Sequence, residues 1–228
     1  MRLSIVIPVL DEAAGIDACL ARLAPLRARG AEVVVVDGGS ADGTPALAAP
    51  HADRVIDSAR GRARQMNAGA AEASGDALLF LHADTRLPEG ADILVARALA
   101  TQAWGRFDVT IEGRSRWLPV VAAFMNARSR LTGIATGDQA LFARRDAFEA
   151  AGGFEPIPLM EDVALSKALR RAGAPACLRE RVVTSGRRWD RHGALRTIVL
   201  MWRLRLAYWL GADPARLAER YVPHGPAR

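Results

Sequence analysis

The sequence contains few cysteines and almost no lysine. Cys19 and Cys177 are its only cysteines, and their separation matches no metal-ligand spacing. We therefore expect two reduced thiols that pack as small core residues, as in a cytoplasmic protein. Because Lys167 is the only lysine, the net charge of +6 comes from arginine. A basic surface favours anionic partners, such as nucleotide phosphates, an acidic membrane face or nucleic acid.

Long apolar runs are also absent from the chain. No segment approaches the roughly 18 uninterrupted apolar residues that a transmembrane helix needs. The chain opens on a strand pattern, without the charged and apolar segments of a secretory signal. Of the residues, 50% are hydrophobic and 25% are charged, as in globular proteins. The sequence therefore predicts a globular protein without a membrane span or a leader.

Apolar segments alternate with helical segments along the chain. Strands are predicted at 3–8, 32–36, 55–56 and 77–81, with helices at 11–29, from Thr44 (the expected N-cap) and at 62–73. This alternation predicts βαβ units and an α/β fold, a mainly parallel Rossmann-like sheet flanked by helices. Later strands are predicted at 107–111, 139–144 and 182–184, with helices at 91–101, 118–130, 161–172 and 193–210. No repeat or linker interrupts the chain, so we expect a single domain over residues 1–228.

Carboxylates stand where predicted strands end or a helix begins. Asp37 follows four valines, and Asp84 comes shortly after the apolar run at 78–81. Open α/β sheets bind ligands at the C-terminal ends of their strands. The pair Glu161-Asp162 precedes a predicted helix. Each feature alone also fits a turn or a helix N-terminus, but together they suit a metal-bound phosphate and a general base. The sequence therefore indicates an enzyme.

Four ordered motifs give the chain a family resemblance. Ile7–Glu12, Val36–Thr44, Ala83-Asp84 and Glu161-Asp162 resemble the family 2 glycosyltransferases over about residues 1–175. The resemblance implies a GT-A fold and a nucleotide-diphosphate sugar donor. It also implies a nucleotide-sugar-binding half at about 1–90, an acceptor half at about 91–180 and a C-terminal helical extension at about 181–228. The segments 61–70 and 79–85 look like a small stand-alone bacterial branch, some members of which are associated with arsenosugar biosynthesis.

The resemblance assigns the nucleoside to the ends of the first two strands. Pro8, Leu10 and Glu12 are then expected to contact the base and ribose. Asp37 is expected to accept a hydrogen bond from a ring N–H, with Gly38 allowing close approach of the ligand. The family usually carries a second acidic residue at the position that Gly38 occupies here.

The diphosphate and its cation are expected near Arg64 and Asp84. Arg60, Arg62 and Arg64 lie on one segment that enters a helix, and the resemblance favours Arg64 as the donor contact. Asp84 matches the last aspartate of the family's Asp-x-Asp motif, which binds a divalent cation, Mn²⁺ or Mg²⁺, that bridges the diphosphate. His82 stands in place of the first aspartate. It is a metal ligand, a ribose contact or a packed strand-end histidine.

Acceptor-side chemistry is implied by two later segments. Gly137, Asp138 and Gln139 look like the acceptor loop, where Asp138 steers a hydroxyl or caps a turn. By resemblance Asp162 is the catalytic base, with Glu161 in support. An inverting transfer needs one such carboxylate to remove the proton of the attacking hydroxyl.

The C-terminal segment carries further candidates. Arg188 is expected to bind the diphosphate when a loop closes, and His192 is a further candidate metal ligand. The processive Gln-x-x-Arg-Trp signature is reduced to Arg-Trp, so polymer synthesis is not inferred. The helix at 193–210 is rich in aromatic residues and arginine. It fits peripheral contact with the inner membrane face, a homodimer contact, or packing on its own sheet with extended arginines.

The sequence thus predicts an inverting, metal-assisted glycosyltransferase with an unidentified acceptor, a small molecule or a lipid-linked one. A nucleotidyltransferase is the alternative enzyme, but its glycine-rich phosphate loop is missing after the first strand. A binding-only relative with a decayed metal site is a further alternative, because of His82 and Gly38. No nucleic-acid partner is expected, since no nucleic-acid-binding motif is present and the arginines are scattered.

Overall fold

The structure is a computed structural model that describes residues 1–221, except for the side chain of His192. Its strands are β1 (Leu3–Val9), β2 (Glu32–Asp37), β3 (Arg54–Asp57), β4 (Ala77–Phe80), β5 (Thr85–Arg86), β6 (Trp104–Glu112), β7 (Phe142–Arg144) and β8 (Ala176–Ser185). Its helices are α1 (Ala13–Ala28), α2 (Thr44–Ala48), α3 (Arg62–Glu72), α4 (Ala91–Leu99), α5 (Leu118–Thr132), α6 (Arg145–Ala150), α7 (Glu161–Leu169), α8 (Arg187–His192), α9 (Ala194–Trp209) and α10 (Pro214–Tyr221).

The described strands form one sheet in the order β3-β2-β1-β4-β7-β6-β8-β5. The first four are mutually parallel, and β2 is buried along its whole length. Continuous aliphatic runs are typical of such strands because helices cover both of their faces. Beyond β4 the sheet is mixed, with β7 antiparallel to both of its neighbours. The predicted α/β fold is confirmed, and its second half is less regular than its first.

Helices pack on both faces of the sheet. Successive strand residues point to opposite faces, so Ile5 joins one apolar cluster with α1, α4 and α5, whereas Val6 joins another with α3 and α6. Gly69 brings α3 close to the sheet. A Cβ at this glycine would lie 2.4 Å from Val6 Cγ1 and 2.7 Å from Val36 Cγ2. This contact sets the start of α3 beside the C-terminal ends of β1 and β2.

Several helix and strand boundaries in the structure differ from the predicted ones. The N-cap of α2 is Gly43 with φ 86°, and Thr44 is its first residue, because its hydroxyl bonds Asp42 instead. The strand predicted at 139–144 shortens to β7, since Gly137–Gln139 forms a 3-10 turn and Ala140 has φ 46°. Helices α6, α8 and α10 have no counterpart in the prediction.

The C-terminal helices pack against the loop that leads into α7. Leu204 of α9 and Leu217 of α10 form a third apolar cluster with Leu159 and Met160. This cluster therefore supports the segment that carries Glu161. Among the described residues, no helix is both long enough and apolar enough to cross a membrane.

Candidate active site

Within residues 1–221, three residues other than glycine have a left-handed backbone, and each lies beside a predicted site segment. They are Asp11 (φ 54°), Ala140 (φ 46°) and Met160 (φ 72°). Such conformations cost about 1–3 kcal/mol each and persist only where the surroundings impose them. Asp11 is held from the second loop, because its N–H donates to Ser40 Oγ at 2.9 Å and its carboxylate accepts from Ala41 N at 2.8 Å. The strain therefore marks one rim of the sheet as a candidate site.

The carboxylate of Asp37 is engaged by its own turn. Its Oδ2 accepts from the N–H groups of Gly39 and Ser40, both at 2.9 Å, and its Oδ1 accepts from Ser40 Oγ at 2.5 Å. The loop after β1 is fastened to the same region, since Glu12 N donates to Thr44 Oγ1 at 2.9 Å. Asp37 therefore holds the turn after β2, and among the described residues its Oδ1 accepts one of the two hydrogen bonds that a carboxylate oxygen can accept.

Gln65 joins the ends of β1 and β2, a role that the sequence reading missed. Its buried Nε2 donates to Val9 O at 2.8 Å and to Val36 O at 2.9 Å. A Cβ on Gly38 would lie 3.0 Å from the amide atoms of Gln65. Gly38, which replaces the usual acidic residue, is thus matched to this amide. A glutamine on the otherwise apolar face of α3 was the available signal.

Asp84 faces Arg187, the residue before the predicted diphosphate ligand Arg188. Arg187 Nη2 lies 3.5 Å from Asp84 Oδ2 and 3.8 Å from Glu12 Oε2. Burial raises the pKa of Glu12, the charge of Asp84 adds to the rise, and Arg187 opposes it. Arg188, the predicted diphosphate ligand, is outside this group. Its guanidinium stacks 3.5 Å from the Tyr221 ring centroid and donates to Tyr221 O.

His82 links the turn of Asp84 to the acceptor loop. Its Nδ1 lies 3.5 Å from Asp138 Oδ1, and its buried Nε2 has no partner among the described residues. A Cβ on Gly137 would lie 2.5 Å from that Nε2, so only glycine fits against the imidazole. His82 therefore packs between the two loops.

A preformed protein cage for a metal is not found within residues 1–221, where no cluster of three or more His, Cys, Asp or Glu side chains has a suitable arrangement. The partly exposed carboxylate of Asp84 is the available oxygen ligand at this strand end. Mg²⁺ commonly keeps several waters and takes one or two carboxylates together with substrate phosphates. These residues fit a cation that a diphosphate brings with it. The side chain of His192 lies outside the described part of the chain.

Asp162 is held at the start of α7. Its Oδ2 accepts from Gly137 N at 2.9 Å and its Oδ1 from Val163 N at 2.7 Å. Burial raises the pKa of Asp162 despite these two bonds, and the charge of Asp138 adds to the rise. The buried Glu161 beside it also has a raised pKa, first through burial and then through the charge of Asp162. Two adjacent carboxylates therefore hold protons more readily than usual.

Asp138 shows the opposite behaviour. Burial alone would raise its pKa, but the hydrogen bond and charge of His82, followed by the charges of Arg62 and Arg128, lower it. Neighbouring acids with pKa values moved in opposite directions are typical of sites that divide acid and base roles.

Two arginines enter this region without having been selected. Arg62 Nη1 lies 3.6 Å from Glu161 Oε1, whereas the exposed Arg64 has no hydrogen-bond partner among the described residues. The Nε and Nη2 atoms of Arg128 are buried without a partner in that same part of the chain. Burial lowers the pKa of Arg128, although Asp162 and Asp138 oppose the effect. No local pattern in the sequence indicates that α5 directs an arginine to this cleft.

The remaining predicted residues border or support the cleft. Pro8 and Leu10 are half-buried at the end of β1. Gln139 is fully buried, and its Nε2 donates to Ser129 Oγ at 3.1 Å. Its side chain therefore supports the acceptor loop from behind.

The fold and this cleft define an α/β protein with a candidate ligand site at the C-terminal ends of parallel strands. Residues 4–151 match the family model described as Glycosyl transferase family 2. The chain belongs to this family and has the GT-A fold.

Curated relatives match over a shorter stretch. PGL/p-HBAD biosynthesis glycosyltransferases of Mycobacterium tuberculosis and Mycobacterium bovis are 44% identical over 93 residues. The match covers 38% of this chain and 36% of theirs, so it spans little more than a third of those relatives.

Solved structures support the fold over most of the chain. A mannosyltransferase from Pyrobaculum calidifontis, in complex with GDP-Man and Mn²⁺, has a TM-score of 0.63 at 24% identity, covering 90% of this chain and 61% of its own. Glucosyl-3-phosphoglycerate synthase from Mycobacterium tuberculosis, in complex with Mn²⁺, UDP and glucosyl-3-phosphoglycerate, has a TM-score of 0.61 at 23% identity, covering 87% and 77%. At these identities the likeness establishes the fold.

Proposed function

We propose that this glycosyltransferase moves a sugar from a nucleotide-diphosphate sugar to an acceptor hydroxyl, with inversion at the anomeric carbon. The observation that carries the proposal is a set of contacts that connects the turn of Asp84 with the carboxylate of Asp162. The turn ending at Asp84 contains His82, which faces Asp138, and the adjoining Gly137 N–H donates to Asp162. A donor diphosphate at one end and an acceptor hydroxyl at the other would meet along this path.

The donor is proposed to bind at residues 1–90, the nucleotide-sugar half. Pro8, Leu10 and Glu12 border the nucleoside, and Asp37 offers its open acceptor position to a ring N–H above Gly38. Arg64 is fully available for a phosphate. Several structural neighbours are described with GDP-Man, UDP or UDP-GlcNAc, which is consistent with such a donor.

Asp84 is proposed to hold a divalent cation, Mn²⁺ or Mg²⁺, together with the diphosphate, and His82 and His192 are weaker candidate ligands. When bound, the cation offsets the charge that develops on the departing nucleoside diphosphate. Arg187, between Asp84 and Glu12, is proposed to bind the same phosphates. Arg188 then anchors α10 through Tyr221 and supports this region indirectly.

Asp162 is proposed as the base, with Glu161 keeping the local pKa raised. The acceptor oxygen forms its bond to the anomeric carbon as the bond to the diphosphate oxygen breaks, and its proton passes to the Asp162 carboxylate. The 91–180 half, with Gly137, Asp138 and Gln139, forms the acceptor side, and residues 181–228 form a helical extension. The acceptor, a small molecule or a lipid-linked one, and the cytoplasmic location stay predictions.

Nucleotide binding tests this proposal without knowledge of the acceptor. Thermal unfolding is measured with a panel of nucleoside diphosphates, each with and without Mn²⁺. At about 100 times the dissociation constant, a ligand stabilises the folded chain by about 2.7 kcal/mol. We expect a Mn²⁺-dependent rise in Tm with one base, which Asp84→Asn abolishes. No rise with any nucleotide would overturn the donor site and favour a binding-only relative.

The adjacent arginines provide a matched pair for the same assay. Arg187→Ala removes a guanidinium beside Asp84, so we expect about tenfold weaker diphosphate binding, or about 1.4 kcal/mol. Arg188→Ala removes the stacking on Tyr221 and is expected to lower the Tm without nucleotide while leaving nucleotide affinity near that of the parent chain. The reverse pattern would show that the phosphates bind Arg188.

A further inference from the structure

Helix α9 carries an apolar stripe that no described part of the chain covers. The stripe consists of Leu195, Val199, Trp202, Leu206 and Trp209, at intervals of four and three residues that place them on one helical face. Trp202 is 70% exposed and Trp209 is 73% exposed. The opposite side of α9 packs inward through Thr197 and Leu204. The expected packing of this helix onto the protein thus accounts for one side of it and leaves the other uncovered.

Helix α5 and the residue before it carry a second exposed stripe. Trp117, Val120, Phe124 and Leu131 are exposed, and Phe124 reaches 67%. The two stripes meet, because Trp117, Leu195 and Arg196 line one shallow cavity of about 340 Å³. We call the two stripes together the apolar face. Contiguous exposed apolar surface of this kind marks a contact with a partner or a membrane.

The two chain segments that carry the apolar face contain basic but no acidic residues. Residues 113–137, which contain α5, include no aspartate or glutamate, and neither do residues 191–212, which contain α9. A groove of about 730 Å³ runs along α9 and α10, with leucine and valine side chains as its apolar lining. Arg196, Arg203 and Arg220 also line it, without an acidic residue. Apolar surface bordered by guanidinium groups complements the acyl chains and phosphates of an anionic lipid layer.

A second copy of the chain would be a poorer occupant. A two-fold dimer would place the apolar face against itself, so arginines would meet arginines without acidic partners. A membrane-spanning arrangement does not apply to α9, which has 16 residues. A helix of this length with aromatic, leucine and arginine side chains suits the plane of the interface.

We propose that the apolar face docks on the surface of an anionic lipid bilayer, with α5 and α9 lying in its plane. The tryptophan, phenylalanine and leucine side chains enter the headgroup region, and the arginines bind lipid phosphates. The inference stands apart from the proposed transferase chemistry. It has a consequence for that chemistry, because α5 also carries Arg128 toward Asp138 and Asp162. Docking would therefore bring the acceptor side of the cleft near the bilayer.

Vesicle flotation tests the proposal on the full chain. The vesicles contain phosphatidylcholine alone or phosphatidylcholine with phosphatidylglycerol. The variants are Trp202→Glu on α9 and Phe124→Glu on α5, and the control is Leu47→Glu, which alters an exposed leucine on α2. We expect binding to the anionic vesicles, reduced at least about tenfold in both stripe variants and unchanged in the control. Because all three side chains are exposed, unfolding Tm values should confirm that every variant folds.

Sedimentation velocity, run in parallel, tests the alternative that a second copy of the chain covers the apolar face. A monomer that binds anionic vesicles, with Trp202→Glu impaired, supports the proposal. A dimer that Trp202→Glu dissociates, without vesicle binding, overturns it in favour of self-association. Equal binding of all variants, or no binding to either vesicle, overturns it as well.

Discussion

The two sides of the cleft use carboxylates in opposite ways. On the donor side, Asp37 accepts three hydrogen bonds from its own turn, and Asp42 accepts hydrogen bonds from Thr44 Oγ1 and Ala13 N. On the acceptor side, the buried Glu161 and the half-buried Asp162 both have raised pKa values. Hydrogen bonds of the fold satisfy Asp37 and Asp42, whereas the raised pKa values of Glu161 and Asp162 mean that these two acids hold protons more readily than usual. The same residue type thus stabilises a turn on one side and supplies the proposed base on the other.

The largest effect is expected on catalytic activity in the variant Asp162→Asn. An amide still accepts from the backbone N–H of Gly137, so the fold should persist, but it cannot take a proton. We expect glycosyl transfer, or donor hydrolysis if no acceptor is supplied, to fall by about 10² to 10⁴. Product release is followed for the variant and for Asp146→Asn, an exposed aspartate on α6 that serves as the matched control. Retention of full activity would remove Asp162 from the role of base.

On the donor side the largest expected effect is on stability. Gln65→Leu keeps the side-chain size but removes the donor to Val9 O and Val36 O, leaving buried acceptors without this partner. We expect a loss of about 1–3 kcal/mol in the free energy of unfolding, measured by urea denaturation. Gln102→Leu replaces a half-buried glutamine without a side-chain hydrogen bond among the described residues and is the control. An unchanged midpoint in Gln65→Leu would show that the strand ends do not depend on this amide.

The smallest expected effect is a pH dependence of stability with opposite signs at two aspartates. A raised pKa means that the folded chain binds the Asp162 proton more tightly, so this contribution exists below the ordinary value of 3.8 and is lost as the pH rises. The lowered pKa of Asp138 stabilises the fold above 3.8, and this contribution is lost on acidification. Relative to the parent chain, the Tm of Asp162→Asn should rise with pH, whereas that of Asp138→Asn should fall. If the Tm values of both variants, relative to the parent chain, changed with pH in the same direction, the opposite pKa shifts of Asp162 and Asp138 would be contradicted.

Sequence reasoning recovers the parallel half of the fold because that half rests on local signals. The valine run of β2 requires burial on both faces, and Gly30, with φ 96°, ends the connection after α1. The second half was less predictable. Strand β7 depends on a 3-10 turn and on Ala140 in a left-handed conformation, which alanine does not favour by itself. Its start is imposed by packing.

In the candidate site too, some residues can be predicted from sequence motifs and others are placed only by tertiary contacts. Asp84 and Asp162 could be selected because they stand at element ends with known chemical uses. Arg187 and Arg188 are equivalent in sequence, and only the course of α8 turns one toward Asp84 and the other toward Tyr221. Arg128 belongs to none of the sequence motifs, so it could not be selected from the sequence.

By itself, the sequence determined the α/β class, the family and the order of the acidic motifs, because hydrophobic periodicity and short motifs are local properties. The tertiary structure decided which arginine meets which carboxylate, the directions in which the pKa values of Asp138 and Asp162 move, and which side of α9 stays uncovered. Those outcomes depend on distances between residues far apart in the chain. Burial and Coulomb interactions act through such distances, and no local pattern specifies them.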